Sequence, residues 1–173
     1  AVGVQFETPP LANAATGVCM INVTPDGQRT MCTFLGAANQ LEVDDIDADL
    51  IGASAIVYLE GYLFDQPQAK AAFRQAVSLA SKAGRTVALT LSDGFCVDRH
   101  RAEFLDLIRS GVGILFANAG GSFHMGPFPE ADADAIRATV DVNLVGTMLS
   151  IKHAVPAMRA NGGGSMSQVA EGA

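Results

Sequence analysis

Three short apolar runs, SAIVYLEGY (54–62), TVALTLSD (86–93) and VGILFAN (112–118), constrain this chain more than any other feature, because helix-like stretches separate them. A run that is apolar at successive positions suits a strand buried on both faces of a sheet. After the first run, Asp65 and Pro67 open a helix. Ala69, Ala72, Phe73, Ala76, Val77, Ala80 and Ala83 then keep helical spacing until Gly84 stops it. After the second run, Asp98 caps a helix that carries Phe104, Leu105, Leu107 and Ile108 and ends at Ser110-Gly111. After the third, Ile136, Val140, Leu144, Met148, Ile151 and Val155 lie on one stripe of a long helix, which Pro156 and Gly162 to Gly164 close. SMSQVA (165–170) follows as a fourth strand. Strands alternating with helices predict an α/β fold: a parallel, Rossmann-like sheet of about four strands flanked by helices. Such sheets bind ligands at the carboxyl ends of their strands. Those ends carry Glu60, Asp93, Asn118 and whatever follows Val169.

The first third reads differently. Residues 1 to 38 have β character, beginning with Val2, Val4 and Phe6 at alternate positions. GVCMINV (17–23) and RTMCTFL (29–35) flank TPDGQ, and Asp26-Gly27 is a hairpin signal because a tight turn needs positive φ at its centre. With those two as loop residues, Cys19, Ile21 and Val23 share an apolar face with Cys32 and Phe34. Asn22, Thr24, Arg29 and Thr33 form the more polar side. DIDADLIGA (45–53) is a short helix. The expected organisation is a β hairpin segment at 1–42, a βαβαβ core at 43–118 and a helix–strand segment at 119–173.

Composition sets the outer bounds. Hydrophobic residues make up 49% of the chain, enough for a core, and a net charge of -7 argues against nucleic acid or anionic membrane as a partner. No apolar run reaches the roughly 18 residues of a membrane span. Cys19, Cys32 and Cys96 show no Cys-x-x-Cys spacing, which suits a reducing cytoplasm and buried thiols. His100, His124 and His153 show no ligand-like spacing, so no metal site is expected. The chain starts Ala-Val-Gly and ends Glu-Gly-Ala, and both ends read as the inside of something longer.

ATGVCMINVTPDGQRTMCTFLGAA (15–38), YLEGYLFD (58–65), ALTLSDGFCVDRHRAEF (88–104) and LFAN (115–118) together resemble the ribokinase-like, or PfkB, kinases, especially their bacterial adenosine and sugar kinase branch. The resemblance implies that the N-terminal strands form part of a lid over a sugar or nucleoside, and that such lids pair between subunits. It implies a substrate- or metal-proximal role for Glu60, and a lid position near substrate for Arg29. It also implies that Asn118 opens the family's Asn-x-x-Glu motif, which organises magnesium and phosphate. Gly121 stands where that motif has glutamate. The family's Gly-Ala-Gly-Asp motif, with its catalytic base and phosphate-holding amides, is not found in these residues, nor is its Gly-Gly substrate segment.

A second resemblance begins at the same asparagine. ANAG (117–120), DVNLVGTMLSIKHAVPAM (141–158) and GGGSMSQVA (162–170) resemble the short-chain dehydrogenases, with Asn143 at their catalytic asparagine position. Asn118 and Gly120 then belong to the Asn-Ala-Gly strand end. Glu171 stands where that family has its catalytic serine. The glycine-rich cofactor loop and the Tyr-x-x-x-Lys pair are not found.

Each residue also has a plainer role. Glu60 is equally a solvated strand-end carboxylate. Asp93 serves turn chemistry with Gly94, and Arg29 is a solvated turn residue. Asn118 ties strand ends, Asn143 has only a structural part, and Gly120 and Gly121 supply backbone freedom. Phe123 and Phe128 are expected to cover the open top of the sheet. The resulting expectation is a recombined or engineered α/β scaffold, kinase-derived then dehydrogenase-derived, with no catalytic residue, no cofactor and no turnover. It self-associates through the β lid or a bare sheet edge. The alternative is a portion of an ATP- and magnesium-dependent PfkB sugar or nucleoside kinase. A further alternative is a self-associating or weakly ligand-binding module.

Overall fold

The computed structural model describes residues 3–6, 8–92, 94–118, 120–124 and 126–168. Asp93, Ala119, Met125 and Glu171 lie outside the described residues, as do Val2 and the Val169-Ala170 end of the fourth run. The fold is α/β as expected. An antiparallel pair, β1 (Val18–Val23) and β2 (Arg29–Phe34), precedes a four-stranded parallel sheet of β3 (Ile56–Glu60), β4 (Thr86–Thr90), β5 (Val112–Phe116) and β6 (Ser165–Ser167), in that spatial order. The helices are α1 (Ala48–Ala53), α2 (Pro67–Lys82), α3 (Gly94–Arg109), α4 (Ala133–Val140) and α5 (Gly146–Ala160). Among the described residues no helix is long and apolar enough to cross a membrane.

Consecutive strands that are also spatial neighbours send every right-handed crossover to the same side of the sheet. One apolar cluster accordingly joins Leu59, Leu89 and Leu115 of the strands to Phe73 and Val77 of α2, Phe104 and Leu107 of α3, and Met158 of α5. The opposite face lacks that cover. Ile56 and Tyr58 of β3 are exposed, although the near-continuous apolar run predicted burial on both faces. An unbroken apolar run cannot distinguish one covered face from two.

The hairpin corrects the expected register by one residue. Val23 pairs with Arg29 and Val18 with Phe34, so the loop is Pro25-Asp26-Gly27, closed by the Thr24 and Gln28 pair. The Thr24 amide donates to the Gln28 carbonyl at 2.9 Å, and the Gly27 amide to the Thr24 carbonyl at 2.9 Å. Gly27 takes the left-handed conformation, φ +84°, which a three-residue loop needs at that position. The Thr24 hydroxyl also donates to the Asp26 carboxylate, and it is the first cause holding that carboxyl below its ordinary value. A one-residue shift turns every side chain to the other face. Val18, Met20, Cys32 and Phe34 therefore lie on one side, and Ile21, Val23, Arg29 and Met31 on the other. Both sides carry apolar residues and both are exposed. Val4 and Phe6 form no strand and are exposed.

The helices show three further differences. Helix α2 has Gln66 at its N-cap, with Pro67 in its first turn, and Asp65 turns instead to Arg99 and His100. Asp98 caps nothing: it lies inside α3, paired with Arg101 at 2.7 Å, and the break in that helix falls at His100 (φ −125°, ψ 24°). The long stripe is interrupted by a π-turn at Asp141–Val145, and Pro156 lies inside α5 rather than ending it. The π-turn shifts the helical phase. Gly146, Thr147, Ser150, Ala154 and Met158 face inward, and Leu144, Met148 and Ile151 face out. Small side chains let α5 approach β5 closely. Phe123 and Phe128 are exposed and do not cover the sheet.

Candidate functional site

The carboxyl ends of β3, β4 and β5 converge, and Glu60 is the most constrained polar group there. Strand alternation puts Tyr58 on the same face two residues earlier. Its hydroxyl donates to Glu60 Oε2 at 3.0 Å, and the Ser92 hydroxyl donates to Oε1. Ser92 has φ +62°, a left-handed backbone that a non-glycine residue adopts at a cost of about 1 to 3 kcal/mol and that clusters at functional sites. Burial raises the Tyr58 phenol above its ordinary value, and the hydrogen bond and charge of Glu60 raise it further. The phenol therefore stays a donor to that carboxylate.

Gly61 explains how Glu60 comes so near β4. A Cβ on Gly61 would lie 2.5 Å from the Leu91 carbonyl oxygen and 2.7 Å from that of Thr90, closer than any real contact allows. Only glycine permits this approach.

Two concavities flank the Ser92–Glu60 hydrogen bond. One, of about 270 Å³, is lined by Thr90, Ser92, Phe116, Asn118, Thr147 and Ser150. The Thr147 and Ser150 hydroxyls are hydrogen-bonded to the Asn143 and Gly146 carbonyls of their own helix. The other, a trough of about 730 Å³ along the β3 edge, is lined by Tyr58, Glu60, Leu50, Asp44, Asp45 and Asp47. Among the described residues neither lining includes a lysine or arginine. Hydroxyls, an amide and carboxylates suit the hydroxyl groups of a sugar or nucleoside. They do not fit the charge of a triphosphate.

The other expected residues divide. Asn118 lines the smaller cavity at the end of β5. Asn143 is held in structural work: its Oδ1 accepts from the Gly121 amide at 3.2 Å, and its Nδ2 donates to the Gly121 and Thr139 carbonyls at 2.7 Å each. A Cβ on Gly120 would lie 2.8 Å from that Oδ1, so this glycine permits the loop to sit on the asparagine. Arg29 is exposed at the start of β2 and lines neither concavity. Sequence reasoning missed Tyr58 and Ser92. The alternation that places Tyr58 beside Glu60 was readable; the strained backbone at Ser92 had no sequence signal.

A parallel sheet flanked by helices, preceded by an antiparallel hairpin, matches the fold of the ribokinase-like kinases. The chain belongs to the pfkB family of carbohydrate kinases, whose family model matches residues 3–125. It is similar to adenosine kinase from Sinorhizobium meliloti, with 42% identity and a TM-score of 0.67 over 88% of this chain and 44% of that one. A probable sugar kinase from Rhizobium etli CFN 42 is 41% identical, with a TM-score of 0.63 over 81% of this chain and 43% of that one. The chain thus spans less than half the length of these structures. A putative ribokinase II from E. coli in complex with ATP and magnesium, 15% identical with a TM-score of 0.57 over 76% of this chain and 42% of that one, shares the fold. A 55-residue stretch is 42% identical to trans-4-hydroxycyclohexanecarboxylate dehydrogenase of Sinomonas cyclohexanicum, covering 32% of this chain and 21% of that protein.

Proposed function

We propose that this chain is a portion of a pfkB-family sugar or nucleoside kinase and supplies its acceptor-binding edge. The observation that carries the proposal is Glu60, a carboxylate fixed by two hydroxyls where three strands end. A carboxylate so placed accepts hydrogen bonds from sugar hydroxyls and sets the orientation of the one to be phosphorylated. Magnesium–ATP is the phosphoryl donor in such a kinase. Since the two linings offer its phosphates no cation, no residue here is assigned to them. This alternative has more behind it than a scaffold without turnover, because the family match runs past Asn118 to residue 125.

Calorimetric titration with adenosine and with ribose tests the proposal. Saturable heat is expected with at least one, and Glu60→Gln is expected to weaken it at least tenfold while leaving the far-UV circular dichroism unchanged. Equal affinity in the variant removes Glu60 from the site.

A second proposal, that the chain joins two parental segments near Asn118, rests on the sequence resemblance at that position, and the dehydrogenase match over 55 residues is consistent with it. The tryptic peptide from Ser110 to Arg137 spans that position. Its recovery intact from the purified protein is the expected result, and two unjoined pieces would remove the idea.

A further inference from the structure

Behind the turn that follows β3, the break in α3 brings together one buried thiol, one imidazole and one carboxylate. A ligand atom from each of Asp65, Cys96 and His100 lies within 4.8 Å of the others. The three come from two places in the chain. Asp65 lies in the turn before α2, and Cys96 and His100 are four residues apart on the first part of α3. His100 Nε2 is 2.9 Å from Asp65 Oδ1. The Cys96 sulfur is buried, forms no disulfide and lies 3.6 Å from the Gly61 carbonyl oxygen.

We infer that Asp65, Cys96 and His100 form a binding site for a single zinc-like divalent cation. The ligand chemistry is the first reason. Thiolate sulfur, imidazole nitrogen and carboxylate oxygen are the three donor types zinc takes, and three protein ligands leave a fourth position open. Spacing is the second. With bonds of about 2.0 to 2.3 Å, tetrahedral ligand atoms lie roughly 3.3 to 3.8 Å apart, so the side chains need only small rotations to close on an ion.

The surrounding groups are the third reason. His100 Nδ1 accepts from the Lys70 ammonium at 3.0 Å and lies 3.2 Å from Glu103 Oε2, so when Nε2 exchanges Asp65 for the ion its proton passes to Nδ1, where Glu103 accepts it. Arg99 holds Asp65 with two bonds, Nε to Oδ1 at 3.0 Å and a terminal nitrogen to Oδ2 at 2.7 Å. Lys70 lies 3.0 Å from His100 Nδ1 and 2.6 Å from Glu103 Oε2, and remains paired with Glu103 when the ion binds. Each carboxylate oxygen keeps a second lone pair, so Asp65 exchanges its imidazole contact for the cation without losing Arg99. Binding releases the thiol proton to solvent.

Cobalt(II) titrated into the full chain tests the inference, because thiolate ligation gives a charge-transfer absorption band. One equivalent is expected to produce that band together with the visible bands of a tetrahedral ion, and zinc is expected to displace both. Cys96→Ser should abolish the charge-transfer band. His100→Gln should weaken binding at least tenfold, and Glu103→Gln about tenfold. The double variant Cys19→Ser, Cys32→Ser should bind as the unaltered chain does. No band at equimolar cobalt overturns the inference, as does a band that survives Cys96→Ser or disappears with Cys19 and Cys32. Should Cys96→Ser fail to fold, His100→Gln decides: undiminished affinity there is equally fatal.

Discussion

Phe64→Ala is expected to lower the stability of the chain by about 4 kcal/mol, the usual cost of emptying an aromatic position in a packed core. Phe64 is fully buried. Its ring stacks on Phe104 with centroids 4.3 Å apart, meets Phe73 at 5.6 Å, and has the Lys70 ammonium 5.5 Å from its centre. One side chain thus joins α2, α3 and the turn after β3. The chain has no tryptophan, so urea unfolding followed by far-UV circular dichroism is the appropriate measurement. A loss below about 1 kcal/mol would mean that these three elements do not pack as described.

Gly61→Ala has the second largest expected effect, and a different signature. The new methyl meets two backbone carbonyl oxygens of the segment leaving β4, and backbone cannot swing aside as a side chain can. Overpacking of this kind costs about 1 to 3 kcal/mol, here at the upper end. The ends of β3 and β4 must separate, and the Ser92–Glu60 hydrogen bond separates with them. Gly61→Ala should therefore lose both stability and acceptor binding, whereas Phe64→Ala should lose stability and keep affinity in the molecules that remain folded. Unfolding and calorimetry on the two variants distinguish these outcomes. If Gly61→Ala keeps wild-type affinity, the close approach does not position Glu60.

Much of this architecture was legible in the sequence, and the exceptions have physical causes. The three apolar runs became β3, β4 and β5 because their length and flanking breakers left little choice. Gly84 ended α2 in the left-handed conformation, φ +65°. The hairpin was readable but its register was not: Asp-Gly serves both two- and three-residue loops, and the Thr24–Gln28 pair decided between them. The face of α5 was misjudged because a π-turn upstream changes the phase. Small residues then win the inward face over larger apolar ones. Asp98 looked like a cap because aspartate before a helical pattern usually is one, yet the helix had already begun at Gly94.

The candidate site was legible at single residues and opaque as a constellation. Glu60 and Asn118 were found as strand ends. The partners that make Glu60 distinctive, Tyr58 and Ser92, depend on strand pairing and on a backbone conformation that no local pattern encodes. Asn143 stands at a catalytic asparagine position and Gly120 in a strand-end motif by resemblance, and the geometry explains each through a loop held on a helix. The Cys96 and His100 spacing carries no signal alone, because residues four apart share a face of any helix and Asp65 joins them only through the fold.

The most direct test of acceptor binding at this strand edge is a titration of adenosine, then ribose, into the uniformly nitrogen-15-labelled chain, followed by its amide resonances. Saturable shifts centred on Glu60, Gly61, Ser92 and Asn118 are the predicted result. Shifts confined to Gly120–His124 and the Asn143 turn, or none at millimolar ligand, would contradict it.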